Sequence, residues 1–359
     1  MAQLTHPLKI LQVIDRLDAG GAERVMVDLS NILCRNGHLV TTIAILDHGL
    51  LGNDLDKNIT KVDLRRTSRF SFRPMRTLSR QAKNHDILHV HMRHNLKYVW
   101  LVKMLFPFKA KIIFHDHYGK INVDRTVPVS LKWAMGKAIY IGVSKQLADW
   151  AREKAGLPWD QVFYLSNIII RKDVNTPSVP ESEGIRLVMV SNIRKEKNIE
   201  FAIKIAKKLS GNGETNLTIY GQIVDRGYYD QLKGIIEGLG ITDRVSFVHD
   251  CMDIQPELHR YNLAIHTAKS ETGPLVLIEY LCQGLPFISF RTGEVIDQLK
   301  EEIPDFIIDN FEADAWIQRI RHIQSMNNRE ELVNLYRKYY SAENYYRRCM
   351  KIYEKSLTC

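Results

Sequence analysis

Apolar runs, each about the length of a single buried strand, alternate along this chain with segments of helical period, and the series occurs twice. The first opens with LKILQVID (residues 8–15), turns through Gly20 and Gly21, and enters a segment that sets Val25, Leu29, Ile32 and Leu33 on one helix face. Gly37 closes that segment, and LVTTIAIL follows as the next apolar run. Strands covered on both faces read as continuous apolar runs, and the order strand, turn, helix, strand opens a doubly wound α/β domain on a parallel sheet. DILHVH (86–91), KIIFHDHYGK (111–120), AIYIGVSKQLADWAREKAG (138–156) and VFYLSNIII (162–170) continue the first series. The third of these contains a strand, Ser144 as a helix N-cap and a helix. IRLVMVSNI (185–193) restarts the pattern, with RKEKNIEFAIKIAKKL as a helix and LTIYGQ as a strand. VSFVHD then reads as a short strand, IQPELHRY as a helix, and LAIHTAKS, GLPFISF and FIIDN as strands.

At 359 residues the chain exceeds one ordinary core and suits two domains. The polar, proline-containing RKDVNTPSVPESEG (171–184) reads as their linker. Residues 1–170 and 185–340 are then the two domains, and 341–359 an amphipathic last helix, N-capped by Ser341. A hydrophobic share of 45% with 25% charged residues describes a soluble globular chain. The five cysteines are scattered, with no C-x-x-C pair, which argues against a disulfide framework or a zinc ribbon. No signal peptide and no run of eighteen apolar residues is evident, so the reading is cytoplasmic.

Chemistry concentrates in SETGPLVLIEYLCQGLP (270–286). Glu271 and Glu279 stand eight positions apart, with Thr272, Gly273 and Pro274 between them. Pro274 suits the first position of a helix that runs on through Leu275 to Leu281, ends at Gly284 and is stopped by Pro286. The backbone N–H groups at Gly273 and the first turn, with the positive end of the helix dipole, suit a phosphate. Two carboxylates at different depths could hold hydroxyls on either side of it. This segment resembles the E-x7-E signature of retaining glycosyltransferases of family 4 (group 1). The resemblance implies a GT-B fold, two Rossmann-like doubly wound domains facing across a cleft with the last helix, 341–359, packing back on the first, and a nucleotide-sugar, here a UDP-sugar, as donor.

By the same resemblance Glu271 approaches the transferred sugar and Glu279 holds the ribose. SNIRKEK (191–197) is similar to the family's G-R-L-x-x-x-K strand end, which assigns Lys197 to the donor diphosphate. Asn192 occupies the family's arginine position, and Arg194, two residues on, could supply the missing charge. Gly221 falls where the family has a glycine near the nucleotide. GGAERV resembles the family's opening loop and brings in Gly20 and Gly21, and the H-D strand end matches His115, facing the donor sugar. The resemblance implies no metal and no cofactor beyond the nucleotide-sugar co-substrate, with a saccharide or lipid-linked saccharide as acceptor. Where the family has Asn-Gly-hydrophobic-Asp, this chain keeps Asn167 but carries Ile168 and Ile170.

The net charge of +9 is concentrated: residues 61–111 hold thirteen Lys and Arg against two Asp. Cations alternate there with Trp, Phe and Met, which suits an anionic membrane surface and a peripheral location at its inner face. Nucleic acid is not expected, since no helix-turn-helix, zinc-finger or RNA-binding signature accompanies the charge. Asp54-Leu55-Asp56 is a D-x-D in a polar turn and reads as surface. His89 and His94 read as polar caps on strand ends. One alternative is a metal-dependent hydrolase using His89, His91, His115 and His117, because such spacing could ligate zinc. Another is a GT-B nucleotide-sugar epimerase.

Overall fold

The computed structural model describes residues 6–358, apart from residues 19, 69, 120, 122–123, 175–183, 212–214, 252 and 327. The chain divides into two compact units, Met1–Ile170 with Ser341–Cys359, and Arg171–Tyr340. Each is a doubly wound α/β unit on a wholly parallel sheet.

In the first unit the elements run β1 (Lys9–Arg16), α1 (Gly21–Arg35), β2 (Leu39–Asp47), β3 (Thr60–Asp63), α2 (Phe72–Lys83), β4 (Ile87–His91), α3 (Arg93–Leu105), β5 (Lys111–Asp116), α4 (Val129–Met135), β6 (Ile139–Gly142), α5 (Lys145–Glu153) and β7 (Val162–Tyr164). The strand order is β3-β2-β1-β4-β5-β6-β7, so the order reverses between β1 and β4. Ile10, Leu11, Val13, Ile14, Leu88, Val90 and Phe114 are fully buried, as covering both faces of the sheet requires. Ser144 caps α5 by accepting from Leu147 N at 3.2 Å.

The second unit contains β8 (Ile185–Val190), α6 (Ile199–Ser210), β9 (Thr215–Tyr220), α7 (Arg226–Gly238), β10 (Val245–Val248), β11 (Leu263–His266), α8 (Leu275–Gln283), β12 (Phe287–Phe290), α9 (Glu294–Leu299), β13 (Ile307–Ile308), α10 (Ala313–Ser325) and α11 (Arg329–Tyr340). Its sheet order, β10-β9-β8-β11-β12-β13, reverses between β8 and β11. The last helix, α12 (Ala342–Thr358), belongs to the first unit. Tyr345, Cys349, Ile352 and Tyr353, a helical stripe, are buried there.

Several local expectations are corrected. The run 162–170 is strand only to Tyr164. Its one partner, β6, ends at Gly142, whose carbonyl takes the last ladder bond from Leu165 N. The helix read from residue 194 begins at Ile199, because Asn198 adopts a left-handed conformation (φ 54°) after a single 3-10 turn. Residues 255–260 form a 3-10 turn and not an α-helix, the segment being short and carrying Pro256. Pro274 precedes α8 as its cap with an extended ψ of 106°, so Leu275 is the first helical residue. The start of the expected linker is tied to the second unit. Lys172 N donates to Gln255 Oε1 (2.9 Å), its ammonium pairs with Asp253 (2.6 Å), and its carbonyl accepts from Gln283 (3.0 Å). Residues 175–183 of that linker lie outside the described residues.

The carboxyl ends of β4 and β5 are held by a buried ion pair. Arg93 donates through Nε and a terminal nitrogen to Asp116 at 2.8–3.1 Å, and the two side chains are only 15% and 1% exposed. The guanidinium also lies 3.9 Å from the Tyr118 ring centroid and 4.3 Å from that of Trp150, and Tyr140 donates to Asp116 at 2.9 Å. Removing one member of such a pair strands a buried charge. Arg93→Leu is therefore expected to destabilise the first unit by about 3–5 kcal/mol in chemical denaturation. A loss near zero would show that Tyr140 and the Tyr118 amide suffice for Asp116.

Candidate functional site

In open α/β sheets ligands bind beyond the strand carboxyl ends where the strand order reverses. In the second unit that place is the end of β8 and β11, and the loops there carry most of the sequence-predicted residues. Lys197, after β8, forms an ion pair with Glu271, after β11; their side chains are 12% and 16% exposed. Several bonds hold the pair in place. The Thr267 hydroxyl lies 3.0 Å from the carbonyls of both Lys197 and Asn198, and Lys269 N donates to Glu196 O at 2.9 Å. Glu271 N donates to Thr292 Oγ1 (3.1 Å), and Glu294 N to Thr272 O (2.8 Å). Gly293 has φ 84°, and a Cβ there would stand 2.8 Å from Pro274 and 3.3 Å from Glu271 Cβ, so only glycine lets this loop close on the glutamate.

His266, which ends β11, is buried with Nδ1 3.0 Å from Ser289 Oγ and Nε2 3.9 Å from Glu271. Sequence reading missed it, although it ends a parallel strand just as His91 does. Burial alone would raise the Glu271 carboxyl, but His266 and the Lys197 ammonium outweigh it and hold it down to about 2. Arg194 lies nearby in the sequence in extended conformation, its Nε buried without a hydrogen-bond partner. Asn192 is exposed, and its Oδ1 accepts from Gln222 N at 3.2 Å, which ties together the loops after β8 and β9. Gly221 sits at that junction (φ 156°), where any Cβ would collide with the Ser191 carbonyl. Glu279 is half-buried on the second turn of α8, and Thr272 is buried ahead of that helix.

In the first unit the reversal lies at β1 and β4. Gly20 is the extended cap of α1, and the Glu23 side chain folds back over it, so that a Cβ there would meet the carboxylate. Burial, with Asp15 and Asp18 adding, pushes the Glu23 carboxyl up. His94 is not a mere cap: its Nε2 pairs with Asp15 at 3.1 Å. His89 is not one either. It is buried, with Nδ1 2.7 Å from the Tyr353 hydroxyl and Nε2 3.3 Å from His115 Nδ1. His91 Nε2 lies 2.9 Å from Gln12 Oε1 and its Nδ1 3.1 Å from His117 Nε2. Burial lowers His89 to about 3 and holds His91 and His115 well below the usual imidazole range, so these three rings are neutral.

His89, His91 and His115 each bring a ring nitrogen within 4.8 Å of the others. A zinc ion needs those nitrogens aimed at one point about 2.0–2.1 Å away. The His89 and His91 rings stack at 4.7 Å within 6° of parallel, so their in-plane lone pairs run side by side, and both nitrogens of each are engaged in hydrogen bonds, while His115 Nε2 has no partner. The arrangement is a hydrogen-bonded stack. Asp54 is exposed and paired with Arg24 at 2.8 Å, on the surface as read from sequence.

Part of the basic run forms one physical patch. Phe70, Phe72, Met104 and Leu105 are exposed, the Phe72 and Phe106 rings meet edge to face at 6.4 Å, and Arg76 lies 5.9 Å from the Phe106 centroid. Arg69 lies outside the described residues. No helix among the described residues is long and apolar enough to cross a membrane.

The Glu271 shift sets an acid limb. A carboxyl lowered in the folded state contributes stability that is fully present above its unfolded value near 4.5 and is lost as pH falls through about 2. Glu271→Gln is expected to melt below wild type at neutral pH and to converge on it between about pH 4.5 and 2, by calorimetry. Curves that stay parallel through that window would contradict the pairing.

Comparison with known proteins agrees with this geometry. A family model described as glycosyl transferases group 1 matches residues 172–341, and one described as glycosyltransferase family 4 matches residues 19–170. A glycosyltransferase of Haemophilus influenzae, itself uncharacterized, is 22% identical over 297 residues, 79% of this chain and 80% of that one. Among solved structures, a glycosyltransferase from Rickettsia africae superposes with a TM-score of 0.81 at 18% identity, over 98% of this chain and 99% of its own. Anabaena HepE, solved with UDP and glucose, superposes with a TM-score of 0.78 at 15% identity, over 96% and 98%. The hydrolase alternative falls with these matches. The two family models, one on either side of residue 171, and the shared fold carry one conclusion: the chain is a GT-B glycosyltransferase related to the family 4 and group 1 glycosyltransferases, with nucleotide-sugar-dependent chemistry.

Proposed function

We propose that the protein is a retaining, metal-independent glycosyltransferase that moves a sugar from a UDP-sugar to a saccharide or lipid-linked saccharide acceptor in surface polysaccharide or glycoconjugate synthesis. The observation that carries this reading is the Lys197–Glu271 pair at the β8/β11 reversal, with Arg194 beside it in the sequence. A departing nucleoside diphosphate develops negative charge at its bridging oxygen, and cations already aimed at that charge lower the barrier without metal help. In this reading Lys197 exchanges Glu271 for the diphosphate, Arg194 adds the second positive charge, and the backbone amides around Gly273 and Leu275 hold phosphate oxygens at the start of α8. Glu271, released from the ammonium but kept ionised, orients the sugar hydroxyls, and Glu279 takes the ribose. The acceptor hydroxyl attacks from the face the diphosphate leaves, which retains the anomeric configuration. Gly20 and Gly21 give the acceptor side a floor of close backbone, and His115 is assigned to the sugar by resemblance. UDP as the nucleotide is supported by the HepE complex.

Titration of a panel of nucleotide-sugars is expected to give binding of one UDP-sugar, unchanged by EDTA and weakened roughly 10- to 100-fold by Glu279→Ala, the cost of a charged hydrogen-bond acceptor. Lys197→Ala should leave binding within a few-fold but lower turnover by about two orders of magnitude or more. The anomeric coupling of the product, read by NMR, reports retention. Chelator-sensitive binding, or an inverted product, would refute the metal-independent or the retaining part. Conversion of free UDP-sugar to its epimer would favour the epimerase.

The apolar and basic patch on α2 and α3 supports a peripheral membrane contact, which would bring a lipid-linked acceptor to the enzyme. Co-sedimentation with anionic vesicles is expected, reduced at high salt and by Phe72→Ser combined with Arg73→Glu. Equal binding to neutral vesicles, or none to either, would remove the membrane from the reading.

A further inference from the structure

Tyr353, on α12, reaches under the carboxyl ends of β4 and β5 and begins a chain of buried hydrogen bonds. Its hydroxyl lies 2.7 Å from His89 Nδ1, and His89 Nε2 lies 3.3 Å from His115 Nδ1. All three residues are wholly inaccessible to solvent. At the far end, His115 Nε2 is buried with no hydrogen-bond partner. An orphaned buried polar atom is uncommon and calls for a cause, such as a ligand that completes it.

Proton bookkeeping decides what that atom is. Phenol is the better donor and imidazole nitrogen the better acceptor, so the Tyr353 hydroxyl donates to His89 Nδ1. A neutral imidazole carries one N–H, which for His89 must then sit on Nε2 and point at His115 Nδ1. His115, accepting there, carries its own proton on Nε2. We infer that Tyr353 and His89 are positioning residues that lock His115 as the Nε2–H tautomer, which makes it a hydrogen-bond donor to an acceptor oxygen of the sugar substrate and not a base. The inference rests on the assignment of His115 to the sugar, but the lock itself does not. A second chain runs the opposite way, from His117 Nε2–H to His91 Nδ1 and from His91 Nε2–H to the Gln12 amide oxygen, and it steadies the neighbouring rings, since His91 stacks on His89 and His117 lies against both His91 and His115.

The test uses the full chain labelled with [15N]histidine, the His115 ring signals being identified by their loss in His115→Gln. In wild type His115 is expected to show a protonated Nε2 and a bare Nδ1 from pH 5 to 8. Tyr353→Phe keeps the ring volume and removes only the hydroxyl. It should give mixed tautomers at His115 and lower kcat for transfer about tenfold, the worth of one hydrogen bond, with KM for the donor within about twofold. His89→Phe should do the same. His89→Gln, which can still accept from Tyr353 and donate to His115, should restore most of the rate. A wild-type His115 protonated on Nδ1, or a tautomer indifferent to Tyr353→Phe, overturns the inference. A locked tautomer in a protein that transfers no sugar from any nucleotide donor leaves the lock standing and overturns the transferase assignment instead.

Discussion

In a parallel sheet every strand ends on the same edge, and both units of this protein depend on that constraint. Their central strands are mostly apolar, with a few polar side chains such as Gln12 and Thr42 within them. Chemistry is displaced to the carboxyl ends: Asp15 on β1, His89 and His91 on β4, His115 and Asp116 on β5, and His266 on β11. The reversal of strand order then opens a place at each sheet where two neighbouring connections run to opposite faces. Lys197 and Glu271 are 74 residues apart in the chain, yet adjacent because β8 and β11 are neighbours at that reversal. Without parallel order the same residues would be divided between two edges.

The ion pair is better understood as an exchangeable contact than as a brace. Desolvating a carboxylate and an ammonium costs about as much as their attraction returns, so a buried pair adds little net stability over apolar packing. What the protein builds around it is geometry. Thr267 fixes the Lys197 loop through two carbonyls, Thr292 fixes the Glu271 amide, and Gly293 allows the second loop to approach. Despite burial, His266 and the Lys197 ammonium hold the Glu271 carboxyl down to about 2, so in the pair it is an anion at physiological pH. The buried Nε of Arg194 has no hydrogen-bond partner, an unsatisfied donor beside the same loop.

Much of this was legible in the residues and some was not, for identifiable reasons. Apolar runs and glycine turns marked nearly every strand of both sheets, and E-x7-E with the lysine at 197 marked the charged pair, because each signal lies within a few residues. Thr292 and Gly293 escaped because their roles exist only across the β11 and β12 loops. Tyr353 escaped for a stronger version of the same reason: it lies 264 residues from the histidine it touches. Its helical stripe announced only that α12 is buried on something. Helix boundaries failed where side chains or left-handed residues override period, as at Asn198. The strand 162–170 failed because an edge strand can run no further than its single partner.

Both units pair full charges at strand ends, Arg93 with Asp116 in the first and Lys197 with Glu271 in the second. The first adds a stack of imidazoles, strips them of charge by burial, and orders them through hydrogen bonds. A neutral donor is suited to an oxygen that carries little charge, such as a sugar hydroxyl, while charged groups are suited to a phosphate. Burial, with the neighbouring rings of His117, His89 and His91 adding, holds His115 well below the usual imidazole range and so resists the proton a catalytic acid would carry. The same burial denies it the role of base unless the Tyr353 and His89 bonds reverse together. With the inferred tautomer, His115 offers an N–H at Nε2 and no free lone pair, which fits the sugar contact proposed for it and not a proton transfer.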